Sequence, residues 1–242
     1  MENADEKESK IVKHYNAAKI EIDCAIFNFE EDSLKVLLLK QKEKNGNIKW
    51  SLANDWIKEG ETIAGTAQNI LKKYIGSDQF FLEQLKAFGY SSESSRQEDI
   101  LIGYYALLKR DAILSNENSD FEWIGINQIS GLNEKHQIIL DYSLNKLRKN
   151  ICNSAIGFNL LPEKFTLLQV VHLYEEILGI EINKSNFRRK ILQMGIILDS
   201  NEKEEDVSHR AAKFYKVENQ EILSHRELNF NFLRTGFRYS YV

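Results

Sequence analysis

Trp50-Ser-Leu-Ala-Asn-Asp-Trp-Ile-Lys-Glu-Gly-Glu-Thr62 runs directly into Ile63-Ala-Gly-Thr-Ala-Gln-Asn-Ile-Leu-Lys-Lys-Tyr-Ile-Gly76. The second half of this stretch predicts a helix over residues 62–75. Ile63, Ala67, Ile70, Leu71 and Tyr74 recur at helical spacing, so one face is apolar. Gly76 stands where a C-terminal cap belongs. On the N-terminal side, residues 18–29 alternate. Ile20, Ile22, Cys24 and Ile26 point one way and Glu21 and Asp23 the other, which is a strand of period two. Residues 30–33 form a polar turn, and residues 34–39 are a dense apolar run suited to a buried strand. Asn45-Gly46-Asn47 marks another turn. On the C-terminal side, strands are expected at 81–90, 100–108 and 121–124, with a polar loop at 91–98. A helix over 134–150 closes this unit. Strands and helices mixed in this order predict an α+β protein with a layered sandwich at its N-terminus.

Past residue 152 the pattern changes. The chain's one proline, Pro162, lies in Phe158-Asn-Leu-Leu-Pro-Glu-Lys-Phe165. Helical periodicity then covers 166–178, Gly179 stops it, and a second helix covers 183–194 before Gly195. Thr166 and Asn183 are N-cap residue types in N-cap positions. Two helices joined by a tight Gly-containing turn are a helix-turn-helix signature. Residues 196–198 and 212–217 read as strands around a charged turn at 199–210. That hairpin would make the motif a winged helix-turn-helix. The expected domains are a frayed tail at 1–17, a sensing domain at 18–152 and a DNA-binding domain at 153–242. The last of these ends in an aromatic tail at 229–242.

In the second helix, Phe187, Ile191 and Met194 share a core-facing side. Lys184, Ser185, Asn186, Arg188, Arg189 and Lys190 project elsewhere. A helix entering the major groove needs this division, with an apolar back and a polar, basic N-terminal half. Arg suits guanine edges, Asn suits adenine, and Lys or Ser holds phosphates. Arg210 and Lys213 of the hairpin are further candidates for DNA contact. Glu202, Glu204, Glu205 and Asp206 put negative charge at its tip, which DNA would repel.

Composition bounds the rest. The 242 residues are 43% apolar and 28% charged, with a net charge of −4. This is a globular balance, and any DNA-binding surface must be a local patch. The N-terminus lacks the apolar core of a signal peptide, and no apolar run is long enough to span a membrane, so a cytoplasmic location is expected. Cys24 and Cys152 belong to no CxxC pair and read as small buried apolar residues. The five histidines show no metal-ligand spacing, so neither a metal nor a cofactor is expected.

The stretch from Trp50 to Ser77 resembles a Nudix box, G-x5-E-x7-R-E-U-x-E-E-x-G-U, where U is aliphatic. Laid on without gaps, the first Gly falls on Asp55 and the next Glu on Glu61. The Arg-Glu pair falls on Asn69 and Ile70, the Glu-Glu pair on Lys73 and Tyr74, and the last Gly on Gly76. In that family the glutamates hold a divalent metal at a pyrophosphate, and hard cations need carboxylate oxygens. Ile70 and Tyr74 supply none, and Lys73 puts a positive charge where the cation would sit. The resemblance therefore implies a Nudix-like fold without hydrolysis.

Ile156-Gly-Phe-Asn-Leu-Leu-Pro-Glu-Lys-Phe-Thr166, Leu173-Tyr-Glu175 and Asn186-Phe-Arg-Arg-Lys-Ile191 resemble the Nudix-related transcriptional regulators. These are the NrtR family and its sugar-responsive relatives such as AraR. The resemblance implies a bacterial, homodimeric, ligand-responsive regulator on a palindromic double-stranded operator. Its N-terminal Nudix-like α/β/α sandwich would bind a small metabolite such as ADP-ribose or a free sugar. Asp55, Trp56, Lys58, Glu98 and Tyr104 are the candidate lining residues, in a cleft between a 53–59 loop, a 90–99 loop and the strand near Tyr104. Trp56 beside carboxylates favours a sugar, by stacking and hydrogen bonding. The competing expectation is a nucleoside-diphosphate hydrolase with a displaced metal site, using Glu93 or Glu98.

Overall fold

A computed structural model describes residues 20–42, 48–75, 80–91, 98–109, 120–205 and 211–219. The 1–17 tail, Gly76, Arg210, Asp206 and the aromatic tail at 229–242 lie outside the described residues. So does the side chain of Glu98.

The alternation in residues 18–29 becomes β1 (Ile20–Glu30), the hub of the first sheet. β1 pairs antiparallel with β2 (Ser33–Lys42) through its C-terminal half and with β4 (Ala53–Trp56) through its N-terminal half. It also runs parallel to β6 (Glu98–Leu108). β3 (Ile48–Ser51) and β7 (Phe121–Gly125) both pair with β2, and β5 (Phe81–Ser91) pairs with β6. Both faces of this sheet are covered, as a sheet with apolar side chains on both sides requires. Ile22, Cys24 and Ile26 face α1 (Ile63–Lys72), packing with its Ala67, Ile70 and Leu71. Ala25, Phe27 and Phe29 face the other way, toward Ile139, Leu140 and Leu147 of α2 (Glu134–Ile151). Residues 53–56, expected as loop, are strand. Their polar sequence carries no strand signal, and pairing with β1 imposes the conformation. α1 begins after the Thr62 cap, whose side chain accepts from the Gly65 amide, and ends at Lys72, before the expected residue 75.

A 3₁₀ turn (Ile156–Leu160) leads to the short β8 (Phe165–Thr166), then α3 (Leu167–Leu178) and α4 (Lys184–Gln193). Thr166 and Gln169 form a reciprocal capping box at the start of α3. Gly179 ends it with φ 65°, a left-handed conformation that costs glycine little. β9 (Ile197–Lys203) and β10 (Lys213–Val217) make the hairpin, and β8 joins them as a third strand. β9 continues to Lys203, past the expected end at 198.

The two halves share one apolar core. Phe27, Val36, Ile139 and Leu147 belong to the same buried cluster as Phe158, Phe165, Val170, Tyr174 and Ile191. Polar contacts cross the same seam. The Leu34 amide donates to Glu176 Oε1 at 3.3 Å, and Arg148 Nε donates to the Ile177 carbonyl at 2.9 Å. Asp32 Oδ2 lies 2.9 Å from His172 Nδ1. Asp32 and Glu31 form the β1–β2 turn with φ values of 55° and 52°. Two consecutive left-handed residues make the tight turn that matches strand twist, which usually employs Asn or Gly.

Candidate functional site

α4 is built as an amphipathic helix with an open face. Phe187 and Ile191 are buried, and the Phe187 ring packs on Tyr174 of α3 with centroids 5.2 Å apart. This fixes the helix's rotation and turns Lys184, Ser185 and Arg189 to solvent. The Asn183 side chain accepts from the Asn186 amide and caps the helix. Asn186 Oδ1 in turn accepts from Arg189 Nη2 at 2.9 Å. That contact holds the guanidinium on the exposed side with its other donors open. Arg188 and Lys190 are half-buried, and Arg188 Nε is buried without a hydrogen-bond partner.

The wing candidates fare differently. Lys213 Nζ donates to Asp199 Oδ2 at 2.7 Å, across the β9–β10 pair. Lys164 donates to both carboxylate oxygens of Glu202 at 2.8 Å. Glu202 and Glu205 are exposed. Lys213 is thus tied to an acid of its own hairpin, while Lys203 and Lys216 are exposed.

The second candidate region is the join of β4 and α1. Asp55 stands opposite Ile22 and so lies on the α1 face. Its Oδ2 accepts from Lys73 Nζ at 2.9 Å and Lys58 Nζ at 3.4 Å, and its Oδ1 from the Trp56 amide at 2.9 Å. The Lys73 ammonium holds the Asp55 carboxyl below the usual carboxylate range, and Asp55 raises Lys73 in return. Glu61 accepts from the Lys58 amide, Thr66 Oγ1 and Asn69 Nδ2 at 3.2, 3.0 and 3.3 Å. The Lys58 amide leads the set of donors that hold Glu61 below its ordinary value. Tyr74 packs edge-on against Phe121 with centroids 5.4 Å apart, as a core residue does. Where the Nudix pattern places metal-binding glutamates, this chain has an ammonium and two apolar contacts.

Of the predicted lining residues, Asp55 and Lys58 come together. Trp56 stands opposite Glu21 and so takes the other face of β4, 40% exposed. Tyr104 is buried, and its hydroxyl donates to Gln84 Oε1 at 2.8 Å.

Sequence reasoning missed a buried polar cluster on the α2 face. Glu21, Asp23 and His136 bring one ligand atom each within 4.8 Å of one another. Residues 113 positions apart in the chain give no spacing signal for this. Glu21 Oε2 accepts from Lys135 Nζ at 2.6 Å, and burial raises the Glu21 carboxyl above its ordinary value despite that bond. His136 Nε2 lies 3.0 Å from Asp23 Oδ1 but off the hydrogen-bonding direction, and both Asp23 oxygens are buried without a hydrogen bond. The set has the composition of a metal site, but the imidazole does not fit one. Its Nδ1 accepts from the Leu52 amide at 3.4 Å and meets Asn133 Nδ2 at 2.9 Å. Asn133 is oriented by its Oδ1, which caps the His136 amide at 2.8 Å. With Nδ1 engaged by the Leu52 amide and Asn133 and Nε2 facing Asn54 Nδ2 at 3.4 Å, both ring nitrogens already meet groups of the chain.

Residues 157–217 match the family model of the NrtR DNA-binding winged helix domain. Over 228 residues the chain is 25% identical to the ADPR responsive transcriptional repressor NtrR of Acinetobacter baylyi, covering 91% of this chain and 88% of that one. Its fold is similar to that of Shewanella oneidensis NrtR, crystallised with a 27mer DNA. The TM-score is 0.73 at 24% identity, over 87% of this chain and 99% of that one. A MutT/nudix family protein from Enterococcus faecalis matches with a TM-score of 0.64 at 16% identity, over 85% and 90% of the two chains. The chain thus has the fold of these NrtR and MutT/nudix family structures, a layered domain followed by a winged helix that matches the NrtR model.

Proposed function

We propose that this protein is a homodimeric, DNA-binding transcriptional regulator whose Nudix-like domain binds a small metabolite without hydrolysing it. The sensing domain spans residues 18–152 and the DNA-binding domain residues 153–242. The observation that carries the reading is α4. Its apolar back is locked on α3, and Lys184, Ser185 and Arg189 stand open on a helix inside an NrtR-type winged helix. Arg189 reads base edges, Lys184 and Ser185 hold phosphates, and the acidic wing stays off the DNA. A homodimer places two such helices on a palindromic operator.

The effector is of the ADP-ribose type. The Acinetobacter baylyi relative is named for its response to ADPR, and Lys58 and Lys73 offer positive charge to an anionic ligand. A free sugar loses its main support. Asp55 and Trp56 leave opposite faces of β4, so they cannot jointly stack and hydrogen-bond one ring. Effector binding changes operator affinity by favouring one arrangement of the two protomers.

The test begins with selection of operator sequences from random DNA by the full-length protein. Binding is then titrated against ADP-ribose and against free pentoses. ADP-ribose should alter operator affinity and pentoses should not. Magnesium- or manganese-dependent turnover of ADP-ribose at enzymatic rates would instead establish the hydrolase.

A further inference from the structure

We propose that Glu175 is a positioning residue for operator reading: its carboxylate fixes where α4 begins, and with it how Lys184, Ser185 and Arg189 meet DNA. The proposal rests on the DNA-binding reading above and adds a residue that acts on α4 rather than on the DNA.

The connection from α3 to α4 is short. It turns at Gly179 and enters α4 at the Asn183 cap. Ile182 is the last residue before that cap. Glu175 Oε1 accepts from the Ile182 amide at 2.9 Å. Among the described residues no backbone carbonyl takes that amide, and Ile182 is buried. A buried N–H without an acceptor is costly, so the carboxylate dictates where this amide can sit. The Ile182 side chain is held as well. Ile182 and Phe187 occupy the N′ and N4 positions of α4 and share one buried cluster. An apolar pair at those positions fixes the angle at which a chain enters a helix. Phe187 in turn packs on Tyr174, the neighbour of Glu175 in α3. The Ile182 amide and the Phe187 ring thus set α4 against a single turn of α3. Lys184 and Ser185 follow directly from the first of these two points.

The location of the carboxylate supports the same role. Glu175 and Glu176 lie in the last turn of α3, which carries no basic residue. Negative charge there opposes the helix dipole, so α3 by itself gains nothing from it. What the two carboxylates hold accounts for them. Glu176 Oε1 accepts from the Leu34 amide at 3.3 Å, on the side of the first sheet. Glu175 holds the entry to α4. Two neighbours of one residue type each take a backbone amide, on opposite sides of α3, which makes Glu176 the matched control. Base contacts are directional and need close placement, whereas phosphate attraction depends mostly on charge. A shifted α4 therefore loses discrimination between sequences before it loses attraction to DNA.

The full-length protein is titrated against the operator selected from random DNA and against an unrelated duplex, at several salt concentrations. Glu175→Ala should lower the ratio of the two affinities by about tenfold, the scale of one lost base contact. Affinity for the unrelated duplex and its salt slope should stay, because no phosphate contact is removed. Glu175→Gln keeps an oxygen acceptor of the same reach and should keep the ratio within about threefold. Glu176→Ala removes an equivalent bond and should lower the melting temperature without lowering the ratio. A merely structural role predicts that the two alanine variants act alike. The proposal is overturned if Glu175→Ala keeps the ratio, if Glu176→Ala lowers it as much, or if Glu175→Gln loses it too. Should Glu175→Ala fail to fold, Glu175→Asp, one methylene short of the Ile182 amide, takes its place under the same criteria. If the wild type selects no sequence, the DNA-binding reading fails and takes this inference with it. If it selects one that Glu175→Ala still reads, only this inference fails.

Discussion

Individual side chains separate the charges open to DNA from those already spent. Arg189 is exposed and oriented by Asn186, whereas Lys213 is tied to Asp199. Arg189→Ala should therefore cost about 1–3 kcal/mol of operator binding and relax base preference. Lys213→Ala should change affinity by less than twofold. Equal losses in a gel-shift titration would contradict the assignment. Asp55 gives a pH prediction. Its carboxyl is lowered in the folded chain, chiefly by Lys73, so its contribution is present above the ordinary carboxylate range. It is lost as pH falls through the depressed value. Lys73 is raised, so its share is full below the ordinary lysine value and is lost as pH rises from there through the raised value. Asp55→Asn should thus lower stability at neutral pH by up to about 1 kcal/mol, little because the pair is near the surface. Thermal melts of mutant and wild type should converge on acidification. A constant gap would show that the pair is not the source. The basic cluster on α4 was legible because helical spacing alone sorts Phe187 and Ile191 from Lys184 and Arg189. The Lys213–Asp199 bond and the Glu21–Asp23–His136 cluster were not, because each needs strand register or packing that periodicity does not carry.

Helix ends were legible for a related reason. Caps are local chemistry, and Thr166, Asn183 and Gly179 act where their residue types suggest, whereas α1 already ends at Lys72, short of the Gly76 expected to cap it. Thr166→Ala removes the α3 capping box and should cost about 1 kcal/mol. Gly179→Ala puts a Cβ on a residue at φ 65°, with a cost of about 1–2 kcal/mol. Denaturant titration checks both, and a neutral Gly179→Ala would mean the C-terminus of α3 can relax. The strands β3 and β4 were illegible. Ile48–Ser51 and Ala53–Trp56 are four residues each, mixed in polarity, and their extended form comes from β2 and β1. The same missing register hid that Asp55 and Trp56 part company across the sheet.

The whole chain holds together through the core that runs from β1 and β2 into α3 and α4. Heat should therefore unfold residues 20–219 in one cooperative step, with calorimetric and van't Hoff enthalpies equal. Two resolved transitions would show that the halves fold separately. With α3 fastened to β2, α2 and the β1–β2 turn, a hinge between the halves would have to open apolar core. In the proposed homodimer, an effector signal therefore acts on how one protomer meets the other rather than on a hinge within the chain. The layered fold and the winged helix could be read from sequence as separate patterns. Their fusion could not, since residues such as Leu34 and Glu176 meet only in three dimensions. The seam also bears on how such a protein can change over generations. A sensor joined to its reader by a loose tether can be exchanged by recombination, like an interchangeable part. Here a foreign sensor would have to reproduce the Asp32 turn, the Leu34 amide and the Arg148 guanidinium against someone else's α3. New effector preferences must therefore be acquired by substitution inside the existing sensor, and the residues at Lys58, Lys73 and Asp55, clear of that seam, are free to vary first.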